Sequence, residues 1–232
     1  MVVYLALDDT DMPDSIGTGR LARFIADEMG KKYPVLCVTR HQFYVHPDIP
    51  YTSHNSGAVI HFADIPPESE SQFCDEAIAL MREKFILGSD PGLCFARHEQ
   101  IIAPVITFGQ DAKTKVLTQD QARKLAYNLN IFLIGLGGTN GGIIGALAGV
   151  GLAATGCDGR FLLVGTIRSR EGDQEVKEIL KTGIEEVLTI DGRVVTDGMI
   201  RIRKFPQPVR IMGRPVLLVE ELEGELIAVK RD

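Results

Sequence analysis

Asp8, Asp9 and Asp11 place three carboxylates within a four-residue stretch, directly after the apolar run Val2 to Leu7. Carboxylates this close repel one another, so the cluster favours a bound divalent cation, and hard oxygen donors suit Mg²⁺. The plainer alternative is a solvated acidic turn in which one Asp caps a helix. The next residues, Ser15-Ile16-Gly17-Thr18-Gly19-Arg20, open a helical pattern with glycines and hydroxyls. Free backbone N–H groups at a helix start attract anions, the hydroxyls of Ser15 and Thr18 add donors, and Arg20 adds a cation. Acids for a metal and amides for a phosphate together suggest a nucleotide. No Gly-Lys-Ser/Thr follows, so the motif is not a Walker A loop.

A second candidate is the run Gly135-Leu136-Gly137-Gly138-Thr139-Asn140-Gly141-Gly142. Gly137, Gly138 and Asn140 are its expected phosphate-cradling positions, and a turn that permits tight helix packing is the alternative. A third is the polar loop from His46 to Ser56, where Thr52, Ser53, His54, Asn55 and Ser56 offer groups for a polar substrate or form a hydrogen-bonded surface loop. His41, His61 and His98 have no metal-site spacing and are expected to be structural. No Gly-x-Ser-x-Gly elbow supports Ser/His/Asp catalysis. Cys37, Cys74, Cys94 and Cys157 form no CxxC pair, which excludes a zinc ribbon or a dithiol motif, and each is expected in the core.

The elements that must position these groups follow from periodicity. Val2 to Leu7 reads as a strand buried on both faces, and Leu21, Phe24, Ile25 and Met29 mark a helix that stops at Gly30. Val35 to Val45 and Gly57 to Ala63 read as strands, and Pro66-Pro67-Glu68 opens a helix through Phe85. Leu93 to Ala96 and Pro104 to Phe108 are strand candidates, and Thr118-x-x-Gln121 is a capping box for a helix through Leu129. The uncharged stretch from Leu125 to Cys157 is cut by its glycines into pieces too short to span a membrane, and reads as buried helix, loop, helix. Phe161 to Ile167 is expected as a strand and Val176 to Leu180 as a short helix. From Val187 onward the pattern is β-rich, with a hairpin turn at Asp191-Gly192 and strands over Met199 to Ile202, Val209 to Met212 and Val216 to Val219.

Of the 232 residues 45% are apolar and 24% charged, enough for an ordinary globular core. The net charge of -6 argues against a protein that grips nucleic acid by charge alone. The amino terminus carries no signal-peptide pattern, and a reducing cytoplasm is the expected compartment.

Three runs occur in the order seen in archaeal tRNA(Ile) agmatinylcytidine synthetase: Leu5-Ala6-Leu7-Asp8-Asp9-Thr10-Asp11-Met12-Pro13, Pro47-Asp48-Ile49-Pro50 with Asn55-Ser56-Gly57-Ala58, and Gly142-Ile143-Ile144-Gly145-Ala146-Leu147-Ala148. The chain resembles the amino-terminal half of that family over roughly Val2 to Ile167. The resemblance implies a mixed α+β chain of α/β type: a kinase-like nucleotide-binding domain at 1–45 and 135–170, a ferredoxin-like unit inserted at 46–134, and a β-rich segment at 171–232. It implies ATP and Mg²⁺ as cofactors, with Asp8, Asp9 and Asp11 holding metal, Ser15, Gly17, Thr18 and Gly19 cradling phosphate, and Arg20 neutralising developing charge. The family's phosphate-accepting threonine falls on Gly19, or on Thr18 with a one-residue shift. Thr52 and His54 stand where the family has Lys and Arg, and no carboxy-terminal zinc ribbon is possible with these cysteines. Tight tRNA binding by this chain is therefore not expected. The expected activity is Mg-ATP-dependent activation of an undetermined acceptor by phosphoryl or adenylyl transfer. The alternatives are a non-catalytic nucleotide- or metal-binding regulator and a small-molecule ligase. An oligomer is compatible with the sequence, and an RNA-binding module is disfavoured by charge and by the absence of tryptophan.

Overall fold

The computed structural model describes residues 1–12, 16–51 and 54–229. It contains two compact units, Met1–Thr155 and Gly156–Asp232. Both are mixtures of strand and helix, in keeping with the expected mixed α+β class.

The first unit begins with β1 (Val3–Asp8), α1 (Thr18–Gly30), β2 (Val35–Gln42), β3 (Ser56–Phe62), α2 (Glu70–Lys84) and β4 (Gly92–Arg97). It continues with α3 (Ala103–Asp111), α4 (Gln119–Asn128), β5 (Phe132–Gly135) and α5 (Ile143–Ala154). Its strands lie in the order β5-β4-β1-β3-β2, every neighbouring pair antiparallel. The βαββαβ connectivity, with β4-β1-β3-β2 side by side, thus occupies Val3–Arg97. β3 and β4, which come from the 46–134 stretch, are hydrogen-bonded to the two sides of β1.

β1 is apolar from Val3 to Leu7 because both its faces are covered there. Tyr4 and Ala6 join the core of Val59, Cys94, Ile143 and Leu147 beneath α5. Side chains alternate along a strand, so Val3, Leu5 and Leu7 point to the opposite face, where Phe62 and Phe95 meet Phe73 of α2 at ring separations of 4.9 and 5.4 Å. α1 buries Leu21, Ala22, Ile25, Ala26 and Met29; of the expected stripe Leu21, Ile25 and Met29 are buried and Phe24 is half-buried. Thr118 caps α4 through the expected capping box, its hydroxyl accepting from the Gln121 N–H.

Two expectations are corrected. Pro104 to Phe108 is not a strand but part of α3, with proline in the first turn, where its missing N–H costs nothing. The β-branched run Val105-Ile106-Thr107 suggests a strand, but packing decides otherwise. Val105 and Phe108 are buried towards α5, and the helices approach so closely that a Cβ on Gly151 would lie 2.2 Å from the Val105 carbonyl oxygen. In the uncharged stretch, β5 stands between α4 and α5, where only helix and loop are expected.

α5 is buried on nearly every side, with Ile143, Ala146, Leu147 and Val150 fully covered. The second unit holds β6 (Arg160–Val164), β7 (Gly172–Glu175), α6 (Val176–Leu180), β8 (Glu186–Thr189), β9 (Met199–Ile202), β10 (Val209–Ile211), β11 (Arg214–Leu222) and β12 (Glu225–Ala228). Its strand order is β6-β10-β11-β12-β9-β7, with β8 parallel to β11. Ile179, Val187, Ile200, Leu217 and Val219 are among its core residues. Among the described residues no helix is long and apolar enough to cross a membrane. Cys74 and Cys94 are core residues as expected, whereas Cys37 is half-buried and Cys157 exposed. Burial pushes the Cys74 thiol up to about 12, which keeps it protonated and inert.

Candidate functional site

The end of β1 delivers Asp8 to the base of a cleft in the first unit. The chain then turns sharply, with Asp9 in a left-handed conformation at φ 52°, which is uncommon for a residue with a side chain. Burial, then the charges of Asp9 and Asp11, pushes the Asp8 carboxyl from 3.8 up to about 8. Asp9 is pushed up to about 6 by burial, then by the charges of Asp90 and Asp11. Both shifts mark carboxyls whose ionised forms are poorly compensated in the folded chain.

A hydroxyl chain ties the acids to the start of α1. The buried Thr10 hydroxyl donates to Thr18 Oγ1 at 3.0 Å, and the Thr18 hydroxyl donates to Asp11 Oδ1 at 3.0 Å. The threonine presented to the cleft is therefore Thr18, and the neighbouring Gly19 instead offers its carbonyl to the Arg23 guanidinium at 2.9 Å.

The glycine-rich loop between β5 and α5 forms the next wall. Its fold centres on Asp90, whose carboxylate accepts from the Thr139 N–H and from the Thr139 hydroxyl. The Asp90 carbonyl accepts from the Gly142 N–H at 2.9 Å. No side chain fits at two positions. A Cβ on Gly142 would lie 2.5 Å from the Asp90 carbonyl oxygen and 2.8 Å from that of Asp8, and a Cβ on Gly145 would lie 1.8 Å from Asp8 Oδ2. These glycines let the first turn of α5 touch the Asp8 carboxyl.

The cleft combines acidic, glycine and apolar walls, the mixture of lining usual in small-molecule sites. Asp8, Asp9, Asp11 and Thr18 line its acidic part, and Gly141, Gly142 and Gly145 line the wall just described. The loop after β2 supplies Phe43, Asp48, Ile49, Pro50 and Tyr51, and the turn after α3 supplies Ala112, Lys115, Val116 and Leu117. His54, Asn55 and Ser56 complete the lining. The Asn55 amide donates to the Tyr44 carbonyl at 2.6 Å, and Ser56 Oγ accepts from Arg40 Nε of β2 at 2.9 Å, so the segment after β2 holds Asn55 and the strand itself holds Ser56.

The structure thus brings together Asp8, Asp9, Asp11, Thr18, His54, Asn55 and Ser56. Ser15, Thr52 and Ser53 lie outside the described residues. Gly17, Gly19 and Arg20 are not among the lining residues. Gly17 serves as the N-cap of α1 at φ 78°, and Arg20 lies on the exposed side of that helix. Gly137, Gly138 and Asn140 also stand off the cleft: Gly137 and Gly138 pack on Ser89 to Pro91, and Asn140 on Gly135. Phe43, Lys115 and Asp90 are missed by sequence reasoning. Only Asp90 carries a signal there, as part of the turn sequence Ser89-Asp90-Pro91-Gly92.

The donors suit a hard cation, but among the described residues no three His, Cys, Asp or Glu side chains gather closely enough to hold a metal alone. Mg²⁺ at these carboxylates would need further oxygen donors from substrate phosphates and water.

The chain matches no protein-family profile and no curated protein. Solved structures do share its fold. Apo TiaS, an isoleucine-tRNA agmatidine synthetase, aligns at TM-score 0.56 and 23% identity over 65% of this chain. A tRNA fluorescent labelling enzyme aligns at 0.57 and 24%, and TiaS in complex with tRNA and ATP at 0.56 and 26%, each over 65% of this chain. This chain covers 35–36% of those solved chains, about a third of their length. The resemblance to part of TiaS read from three short motifs is thus matched by the fold.

Proposed function

We propose that this chain is a Mg-ATP-dependent enzyme that activates an acceptor by phosphoryl or adenylyl transfer. The observation that carries the reading is the placement of Asp8, Asp9, Asp11 and Thr18 in one cleft with the Gly141–Gly142 wall. Support comes from the shared fold of TiaS, solved in complexes named for ATP and tRNA and for AMPCPP and agmatine. Asp8 and Asp9, with Asp11 behind them, would hold Mg²⁺ jointly with the nucleotide. The metal, when bound, would neutralise phosphate charge during transfer. Thr18, buried and already donating to Asp11, is the hydroxyl closest in role to an acceptor or positioning group.

The acceptor would meet the wall of Ile49, Pro50, Val116 and Leu117, with Asp48 beside it. An apolar wall next to a carboxylate suits a small amine with a cationic end. tRNA is the competing acceptor, supported by the solved complex of TiaS with tRNA and ATP and opposed by the net charge of -6.

The test is ATP consumption with Mg²⁺ and a panel of small amines, with and without tRNA. Pyrophosphate release would identify adenylyl transfer, and ADP release phosphoryl transfer. Turnover with amines alone supports a small-molecule ligase, turnover only with tRNA makes the chain a tRNA-modifying enzyme, and no turnover beside normal ATP binding leaves a nucleotide-binding regulator.

A further inference from the structure

We propose that Lys115 is the phosphate-binding cation of the cleft, in the part for which the sequence suggests Arg20. This rests on the nucleotide reading above and adds the residue that receives the phosphates. Among the described lining residues Lys115 is the only lysine or arginine, and it shares the cleft with Asp8, Asp9, Asp11 and Asp48. A nucleotide polyphosphate remains anionic after it binds one Mg²⁺. Entering a cleft already lined by four acidic side chains, it needs a cation for the phosphates the metal does not reach. Arg20 is exposed on α1, outside the lining.

The turn that carries Lys115 is built to present it. The Lys115 N–H donates to the Asp111 carbonyl at 2.8 Å, and the Tyr44 N–H donates to the Ala112 carbonyl at 2.9 Å. The second bond ties this turn to the segment after β2, whose Phe43 lies in the same cleft. The ammonium rests on Asp111 Oδ1 at 2.7 Å, with 62% of the lysine side chain exposed. Exposed pairs of this kind are weak. A phosphate offers more charge and several acceptor oxygens, so it displaces the Asp111 carboxylate, and lysine is a common point-charge partner for phosphate.

Calorimetry with AMP, ADP and ATP in Mg²⁺ tests the assignment. The wild-type chain should gain affinity along that series. Lys115→Met should weaken ATP at least tenfold and AMP less than twofold, with an unchanged circular dichroism spectrum, and Lys115→Arg should recover most of the loss. Asp111→Asn, which removes the resting partner, should bind ATP as tightly as wild type or more tightly. Wild-type ATP affinity in Lys115→Met, or an equal loss for AMP and ATP, overturns the assignment. So does a loss in Asp111→Asn as large as in Lys115→Met, since the pair would then only shape the turn. A wild-type chain that binds no Mg-ATP removes the nucleotide reading itself, and this assignment with it.

Discussion

The molecule has two glycine-rich loops beside its acids, and they do different work. In the loop from β1 to α1 the glycines stand aside: Gly17 starts the helix, Gly19 offers a carbonyl to Arg23, and Asp8, Asp9, Asp11 and Thr18 face the cleft. In the loop from β5 to α5 the glycines are what matters, because Gly142 and Gly145 occupy positions where any Cβ would overlap Asp90 or Asp8. The same residue type signals chain freedom in one loop and lack of space in the other. Glycine content alone therefore does not say which loop lines the cleft with side chains and which makes room for a carboxylate.

That contrast can be broken or sharpened by substitution. The largest effect is expected for Gly142→Ala and Gly145→Ala, where the new methyl meets backbone or the Asp8 carboxyl. Each should cost about 3 kcal/mol or fail to fold, read from urea melts. If Gly142→Ala folds with wild-type stability, the close approach is not what the loop is for.

Next comes the pH dependence of Asp8. Its folded-state value of about 8 lies above the ordinary 3.8, so the folded chain keeps a proton that the unfolded chain releases. Its contribution to stability is therefore complete below about pH 4 and lost as pH rises through about 8. Without divalent cations, melts at pH 5 and pH 8 should differ by about 3 kcal/mol, and Asp8→Asn should remove most of that difference. A wild-type chain equally stable at both values would mean the carboxyl is solvated.

A smaller effect is expected at Asp90. Asp90→Ala leaves the Thr139 N–H and hydroxyl without their acceptor, and should cost about 1–2 kcal/mol and loosen the loop in hydrogen exchange. Gly17→Ala tests the backbone alone. The nearest atom to its Cβ is 3.8 Å away, so only the backbone resists, at φ 78° and ψ 145° in a region nearly confined to glycine, at about 1 kcal/mol or more.

Much of this arrangement was legible in the sequence. The unbroken apolar run of β1 placed the acids at a strand end, the spacing from Leu21 to Met29 gave α1, and the Thr118 capping box gave the start of α4. The rest depended on long-range packing. The β-branched residues of α3 suggest a strand locally, whereas its helical state depends on Gly109 and Gly151, which admit α5 against it. β12 is the local exception: a two-residue turn at Glu223-Gly224, both at positive φ, pairs it with β11, but its four residues carry too little apolar pattern to read as a strand. Lys115 is missed because nearness in sequence does not set nearness in space. A cation next to a motif in sequence lies on the exposed side of α1, while one about a hundred residues away is carried back by the turn after α3.

The central claim is that the acids at the end of β1 bind metal together with nucleotide. Titration of Mg²⁺ by calorimetry, with and without a nonhydrolysable ATP analogue, tests it most directly. Mg²⁺ should bind at least tenfold more tightly when the nucleotide is present, and Asp9→Asn and Asp11→Asn should each lose that gain. If both variants bind Mg²⁺ and nucleotide as the wild-type chain does, the cluster is a solvated turn and the account of the cleft is wrong.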